Sequence, residues 1–246
     1  MAVSKQCKSV LCFFYVGLLF TSGILMFGGC IYLSYKLFSF THTFKFAPAE
    51  CVGPFVLLTL LAITHCVISR FGYNGATKDN LKHILWFQMG LAGHMICEIA
   101  IGIWSIILNR KAAVTSTVMI TDSFNSFISD NYHKSSWESL QQELQCCGID
   151  HPNDYKILNP SSGFIPTACC ETDPCTRLFQ HGCKDLTIQS VKKLLLDITF
   201  ISFGSALFMM LGIVCFCYLR KAIKQQTKAE ISEKRRAPGE ASRMTK

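Results

Sequence analysis

Charged side chains are almost absent from four long stretches of this chain. Residues 10–33, 52–69 and 198–219 contain none, and residues 84–108 contain only Glu98. Helices of soluble proteins rarely run this far without a charge, because one of their faces meets water. A bilayer core of about 30 Å needs about 20 apolar residues in a helix. The sequence therefore excludes an ordinary soluble protein and predicts an all-α membrane protein with four transmembrane helices.

The motifs of enzymes are missing as well. The sequence contains no nucleophile paired with a base, no glycine loop that would cradle a phosphate and no closed zinc site. We interpret lone residues such as Ser136 and His181 as solvated loop positions. We therefore expect no enzymatic activity, no cofactor and no metal. The long loop 109–197 also lacks an N-glycosylation sequon, because Pro160 separates Asn159 from Ser161, and we expect it to carry no N-glycan.

The distribution of basic residues predicts the topology. The tail 220–246 has nine basic and three acidic residues, whereas the loop 109–197 has eight basic and ten acidic ones. The positive-inside rule places basic segments in the cytoplasm. The predicted order is a cytoplasmic segment 1–9, a helix 10–33, an outer loop 34–51, a helix 52–70, an inner link 71–83, a helix 84–108, the outer loop 109–197, a helix 198–219 and the cytoplasmic tail. Juxtamembrane basic residues meet anionic lipids, so the net charge of +8 does not indicate nucleic-acid binding.

The loop 109–197 is the one segment outside the predicted helices that is large enough to form a domain. Six cysteines lie within it, at positions 146, 147, 169, 170, 175 and 183, and such a cluster indicates an oxidising compartment. Six cysteines allow 15 pairings, so spacing alone selects none of them. Trp137, Leu140 and Leu144 form one stripe of a helix over 112–145, with Gly148 as its expected C-cap. A second helix is predicted over 184–196, and the turn-rich segment 151–182 lies between the two.

Several motifs, taken in order, resemble the tetraspanin family over nearly the whole chain. The large loop contains Trp137, Gln141 and Leu144, followed by Cys146-Cys147-Gly148, Asp154-Tyr155, Pro166-Thr-Ala-Cys169-Cys170 and Gly182-Cys183. The inner link Gly72-Tyr-Asn-Gly75-Ala76-Thr-Lys-Asp79-Asn80 resembles the family's G-x-x-G-A-x-x-E-N with Asp in place of Glu, and Glu98-Ile-Ala-Ile-Gly102 resembles the acidic motif of its third span. The CCG, P-x-x-CC and GC elements are together highly specific in a four-span chain.

The resemblance implies a disulfide pattern and a function. Cys146 would pair with Cys183, Cys147 with one member of the Cys169-Cys170 pair, and Cys175 with the other. The implied function is a non-enzymatic organiser at the plasma or endosomal membrane that selects partners through the large loop. Its implied partners are adhesion receptors, immunoglobulin-type proteins, other tetraspanins and membrane lipids, with cholesterol as a candidate ligand of the helix bundle. A cell-surface receptor for a soluble or viral ligand is the alternative, and a channel or transporter is less well supported.

The chain also departs from the family pattern inside the membrane. The first span has no Asn near Tyr15-Val16-Gly17, and the fourth span lacks the usual Glu or Gln. These departures predict few polar contacts between helices one and four.

Three polar residues inside the predicted spans invite a metal-site interpretation. Counted from the inner boundary, His65 lies about 7 Å deep, His94 about 15 Å and Glu98 about 21 Å. These depths do not converge on one ion. We therefore favour polar packing of the third helix or the lining of a small lipid cavity by His94 and Glu98.

Cysteines at the cytoplasmic ends of the spans are candidate palmitoylation sites. They are Cys7, Cys12, Cys215 and Cys217, with Cys66 as a weaker candidate. Cys30 and Cys51 are interpreted as buried small residues rather than as an extra disulfide. Four apolar residues of the turn-rich segment are candidates for partner binding, or else fill the core of this small domain. They are Phe164, Ile165, Leu178 and Phe179.

Overall fold

The computed structural model describes residues 5–39, 52–158, 160, 164–172 and 174–244. The helices are α1 (Lys5–Ser39), α2 (Val52–Thr77), α3 (Leu81–Asn125), α4 (Asn131–Leu144), α5 (Asp154–Leu158) and α6 (Cys183–Met244). A 3-10 turn covers Thr167–Cys169, and one isolated bridge joins Cys170 to Leu178, but these ranges contain no strand. By length and composition, α1, α2, α3 and α6 can each cross a membrane. The predicted all-α fold with four spanning helices is confirmed.

The helices are longer than the spans predicted from the uncharged stretches. α2 continues to Thr77 and α3 begins at Leu81, so the link between them shrinks to residues 78–80. Asn80 caps α3, because its side-chain oxygen accepts a hydrogen bond from the backbone N–H of Lys82 at 3.0 Å. Charged residues mark where apolar composition ends, and they do not stop a helix. α1 likewise runs to Ser39, and residues 40–51 lie outside the described part of the chain.

One compact unit consists of Met1–Gly28, Thr59–Ile99 and Phe203–Lys246. Within it, Tyr15 joins α1 to α6. The Tyr15 ring stacks on Phe208 with 4.8 Å between centroids, and its hydroxyl donates to the Phe208 carbonyl at 3.2 Å. Gly212 leaves the space that the Tyr15 ring fills. A buried tyrosine thus supplies a polar contact between these helices, and large apolar residues surround it: Leu19, Ile84, Phe87, Leu91, Met209, Phe216 and Leu219.

The second unit consists of Gly29–Leu58 and Ala100–Ser202. At the base of its two long helices, a small buried cluster joins α3 to α6 and comprises Leu108, Ala112, Val191 and Leu195. The Asn109 side-chain amide adds a hydrogen bond to the Lys192 carbonyl at 2.8 Å. α6 starts at Cys183 and continues without a break past the predicted fourth span.

The first helical part of the large loop is two helices, and the prediction of one helix over 112–145 was wrong. α3 ends at Asn125 and α4 begins at Asn131. Asp130 starts the new helix, because its carboxylate accepts the backbone N–H of Tyr132 at 2.8 Å. The expected C-cap was also wrong. α4 ends at Leu144, and Gln145 takes the left-handed conformation with φ 52°, whereas Gly148 lies in the next turn.

Candidate functional site

An aromatic core holds the part of the large loop that we call the head, residues 124–183. Trp137 and Leu140 of α4 are fully buried, as their spacing predicted, and Leu144 packs against the same cluster. The Phe124 ring contacts both Trp137 and Tyr155 at 5.0 Å between centroids. Edge-to-face aromatic pairs of this kind contribute roughly 0.5–1.5 kcal/mol beyond the area that they bury. The tryptophan of the loop motif is therefore a packing residue.

Three disulfides tie the irregular segment of the head to this core. The structure joins Cys146 to Cys183, Cys147 to Cys169 and Cys170 to Cys175. Adjacent cysteines thus reach different segments, which connects the end of α4, the 3-10 turn and the start of α6. Cys146, Cys147, Cys169 and Cys183 are buried, while Cys175 lies at the surface.

The two motif positions 148 and 182 require glycine for different structural reasons. Gly148 has φ 73°, in the left-handed region where a side chain causes strain. Gly182 has no room for a Cβ, because the Ile149 carbonyl and the Asp150 backbone lie against it. Backbone hydrogen bonds close this region, with Cys183 N–H donating to the Gly148 carbonyl at 3.0 Å. Both glycines therefore allow the CCG turn to pack against the start of α6.

Several polar groups of the head form specific hydrogen bonds. The Gln141 side-chain amide donates to the Tyr155 hydroxyl, and both residues are buried. Burial raises the pKa of the Tyr155 hydroxyl above its usual range. The Asp154 carboxylate accepts the backbone N–H of Asp150 at 2.7 Å, which fixes the turn after CCG. A hydrogen bond to Asp150 raises the pKa of the Lys184 ammonium, whose side chain is partly buried.

The four apolar partner-binding candidates have different surroundings. Ile165, Leu178 and Phe179 are partly buried and pack against the aromatic core, so they contribute to the fold of the head. Phe164 is 49% exposed, with the Lys134 ammonium 5.9 Å from its ring centroid. Ile157, which was not among the predicted residues, is 76% exposed. The sequence signal that could have identified Ile157 is its position on the short helix α5, two residues after the motif residue Tyr155.

The candidate palmitoylation thiols also differ in access. Cys12 is 1% exposed and lies 3.7 Å from the Cys215 carbonyl, so its acylation is not supported by this arrangement. Cys217 is exposed and Cys215 is half-buried. Cys66 is half-buried, and Cys97, which was not predicted, is exposed along α3. The side chains of Cys7 and Cys30, and the whole of Cys51, lie outside the described residues.

The three polar residues of the spans lie together, and the predicted separation in depth was wrong. His65 Nε2 is 3.8 Å from Glu98 Oε1, and the His65 and His94 rings stack with 4.6 Å between centroids. The prediction measured depth from residues 70 and 84, but the helices continue to Thr77 and Leu81. Counted from Asp79 in the middle of the real link, the two histidines differ by one residue, because 79 − 65 is 14 and 94 − 79 is 15. All three side chains are buried, and Ser205 of α6 donates to Glu98 Oε1 at 2.6 Å.

An apolar groove lies elsewhere in the same unit, between α1 and α2. Its volume is about 370 Å³. Its lining is mostly apolar and includes Arg70, but neither His94 nor Glu98: the residues are Phe13, Val16, Gly17, Phe20, Cys66, Ser69, Arg70 and Tyr73. The residues predicted to line a lipid cavity are therefore not those that line this groove.

Comparison with known proteins decides the family. The model of the tetraspanin family matches residues 7–222. The chain belongs to the tetraspanin family. This tetraspanin is 26% identical to the leukocyte surface antigen CD53 of Bos taurus over 66% of the chain and 72% of that protein. It is 22% identical to a 23 kDa integral membrane protein of Schistosoma japonicum over 68% of the chain and 72% of that protein. Identity to the CD63 antigen of Bos taurus is 25%, covering 64% and 70% of the two chains.

Membership of the family and the four spanning helices make this tetraspanin a multi-pass membrane protein. The disulfide-braced head and the buried polar cluster are its two candidate sites. They lie in different parts of the chain. The head has an exposed surface that another protein could contact, whereas the cluster has buried nitrogen and oxygen atoms that could bind a small ligand.

Proposed function

We propose that this tetraspanin is a non-enzymatic organiser of membrane proteins and that its head selects them. Its partners would be other integral membrane proteins, namely adhesion receptors, immunoglobulin-type proteins and other tetraspanins. The proposal places both termini in the cytoplasm and the head outside the cell, at the plasma or endosomal membrane. Family membership supports the general role, and the basic tail supports the orientation.

Partner selection by the head is supported by two large apolar residues that are exposed at its surface, outside its packed core. Most large apolar residues of the head are packed around Trp137 and Tyr155. Ile157 and Phe164 instead remain 76% and 49% exposed, the first on α5 and the second just before the 3-10 turn that the Cys147–Cys169 bond ties to the end of α4. A rigid apolar anchor loses little conformational entropy on binding, so it contributes more of its buried area to affinity.

The first experiment is proximity labelling in intact cells with the double variant Ile157→Asp and Phe164→Asp. We expect a loss of the most strongly labelled membrane proteins, because each aspartate places a charge where the partner would bury an apolar group. Lys156→Ala is the matched control, since Lys156 is exposed beside Ile157 and its change leaves the apolar surface intact. Surface expression of both variants shows that the head is folded.

A second experiment exchanges residues 150–182 for the corresponding segment of a distant relative. If the labelled set is the same after the exchange, the head is not the selector. Loss of a soluble ligand, with unchanged membrane neighbours, would instead favour the receptor function.

Cholesterol is part of this proposal as a lipid partner, and the groove between α1 and α2 is the place that we assign to it. The groove combines aromatic and aliphatic lining with polar groups at Ser69, Arg70 and Tyr73. A photoactivatable sterol should label purified protein at these helices. Val16→Trp should reduce labelling by filling the groove, and labelling that is absent in the unchanged protein would exclude the sterol.

A further inference from the structure

The cluster of His65, His94 and Glu98 contains four buried polar atoms that lack a hydrogen-bond partner among the described residues. They are Nδ1 and Nε2 of His65, Nδ1 of His94 and Oε2 of Glu98. Each parent residue is at most 5% exposed. A buried polar atom without a partner costs roughly 1–3 kcal/mol, and an ionised carboxylate in a membrane helix costs about 2.5–3.5 kcal/mol. Four such atoms in one place indicate a bound group that satisfies them.

The hydrogen bonds of Thr64 fit the tautomer of His94 that leaves a lone pair on Nδ1. The Thr64 hydroxyl donates its one hydrogen to the Leu61 carbonyl at 2.9 Å. His94 Nε2 lies 2.6 Å from the same hydroxyl oxygen. With that hydrogen bond in place the oxygen accepts from His94 Nε2, which corresponds to the tautomer with the proton on Nε2. Nδ1 of His94 then has a free lone pair, and it is one of the four unpartnered atoms.

Ser205 orients the carboxylate in a similar way. Its hydroxyl donates to Glu98 Oε1 at 2.6 Å and leaves Oε2 without a partner. Metal-ligating histidines and carboxylates in proteins are typically held by such outer hydrogen bonds, which fix the tautomer and the direction of the ligand atom. Thr64 and Ser205 thus hold His94 and Glu98 as metal sites hold their ligands.

The three residues are close enough to share an ion. One nitrogen from each histidine and one carboxylate oxygen all lie within 4.8 Å of one another. Ligand atoms around tetrahedral zinc, at about 2.0–2.1 Å from the metal, are roughly 3.4 Å apart. To reach this geometry, the most distant ligand atoms would approach each other by up to about 1.4 Å.

We propose that His65, His94 and Glu98 bind one divalent first-row transition-metal ion, with Zn²⁺ as the expected occupant. Two imidazoles and one carboxylate are a common ligand set for zinc, and they leave a fourth position for water. Hard cations such as Mg²⁺ and Ca²⁺ prefer oxygen ligands and do not fit two nitrogens. The ion satisfies the unpartnered atoms and links α2 to α3, while Ser205 connects the site to α6. The proposal replaces the sequence-based expectation that these residues hold no metal.

The test uses the purified full chain in lipid nanodiscs, stripped with a chelator and titrated with Co²⁺ as a spectroscopic probe. We expect about one Co²⁺ per chain with the intense visible absorption of tetrahedral coordination, and displacement of Co²⁺ by Zn²⁺. His94→Asn and Glu98→Gln should abolish this absorption, since each removes one ligand atom. Thr64→Val keeps all three ligands and should weaken affinity by roughly 10- to 100-fold.

His83→Asn is the matched control, because His83 lies on the same helix α3 outside the cluster and its change should leave Co²⁺ binding unchanged. Thermal denaturation of the full chain reports that the helices around the cluster have folded in each variant. If His94→Asn does not fold, the Co²⁺ binding of Glu98→Gln and Thr64→Val tests the proposal. Absence of tetrahedral Co²⁺ in the unchanged protein, or equal binding by the ligand variants and the control, would overturn the proposal.

Discussion

At the scale of single residues, Tyr15 supplies the polar contact between α1 and α6 that the family pattern assigns to Asn, Glu or Gln side chains. Its ring packs between Phe208 and Phe216, with 4.8 Å and 6.4 Å between centroids, and its hydroxyl reaches a backbone carbonyl of α6. The hydrogen bond satisfies the hydroxyl without introducing a charge into the membrane. Van der Waals packing, which drives association of membrane helices, then supplies most of the attraction between α1 and α6.

This arrangement predicts that Gly212→Ala destabilises the protein. A methyl group at Gly212 would clash with the Tyr15 ring. The rings of Phe208 and Phe216 prevent the Tyr15 ring from moving aside. Overpacking of this kind costs about 1–3 kcal/mol. Gly204→Ala is the control on the same helix, because no atom lies within 4 Å of the Cβ that it would add. Thermal denaturation of the full chain in detergent should show a lower midpoint for Gly212→Ala alone, and equal midpoints would contradict the packing role.

At the scale of elements, the three disulfides are not equivalent. The Cys146–Cys183 bond closes a separation of 37 residues between α4 and α6, whereas Cys170–Cys175 closes one of 5 residues. In the chain-entropy model, these separations give about 3.8 and 2.1 kcal/mol of stabilisation, respectively. Cys146 and Cys183 are also fully buried, so their replacement disturbs the core as well.

We therefore expect the double variant Cys146→Ser and Cys183→Ser to unfold the head far more readily than Cys170→Ser and Cys175→Ser. The measurement is protease digestion of the full chain over a urea series, with cleavage in the loop as the signal. The two double variants serve as controls for each other, because each removes one bond and adds two hydroxyls. An equal loss of protection would mean that the head's stability does not depend on its connection to α6.

The extent to which sequence reasoning succeeds at this scale depends on the range of the interactions involved. The stripe of Trp137, Leu140 and Leu144 is a local pattern, so the helix containing it was predictable. The break at residues 126–130 was missed, because α-helical periodicity continues on both sides of it. Asp130, a good N-cap, was the one local sign of a new helix. The meeting of His65 with His94 was missed for a related reason, since apolar runs locate the membrane but not the true ends of α2 and α3. Tyr15 and Gly212 lie nearly 200 positions apart, and no local signal connects them.

At the scale of the whole molecule, the claim to test is orientation. Nine basic residues in the tail against three acidic ones, and a loop with more acidic than basic residues, favour a cytoplasmic tail and an external head. Both the disulfides and the proposed acylation depend on this topology. Disulfides in the head require an oxidising compartment, and acylation of the exposed Cys217 requires the cytoplasmic side.

Restoring a glycosylation sequon measures the orientation directly. Pro160→Ala removes the proline that spoils the sequon at Asn159, so the protein expressed in animal cells should gain one glycan. The gain appears as a slower gel band that an N-glycosidase removes. Lys82→Thr creates a sequon at Asn80 in the inner link and is the matched control, since a cytoplasmic site receives no glycan. Because α2 and α3 are joined by so short a link, glycosylation at Asn80 together with none at Asn159 would place the head inside the cell. That result would remove the basis for partner selection by an external head.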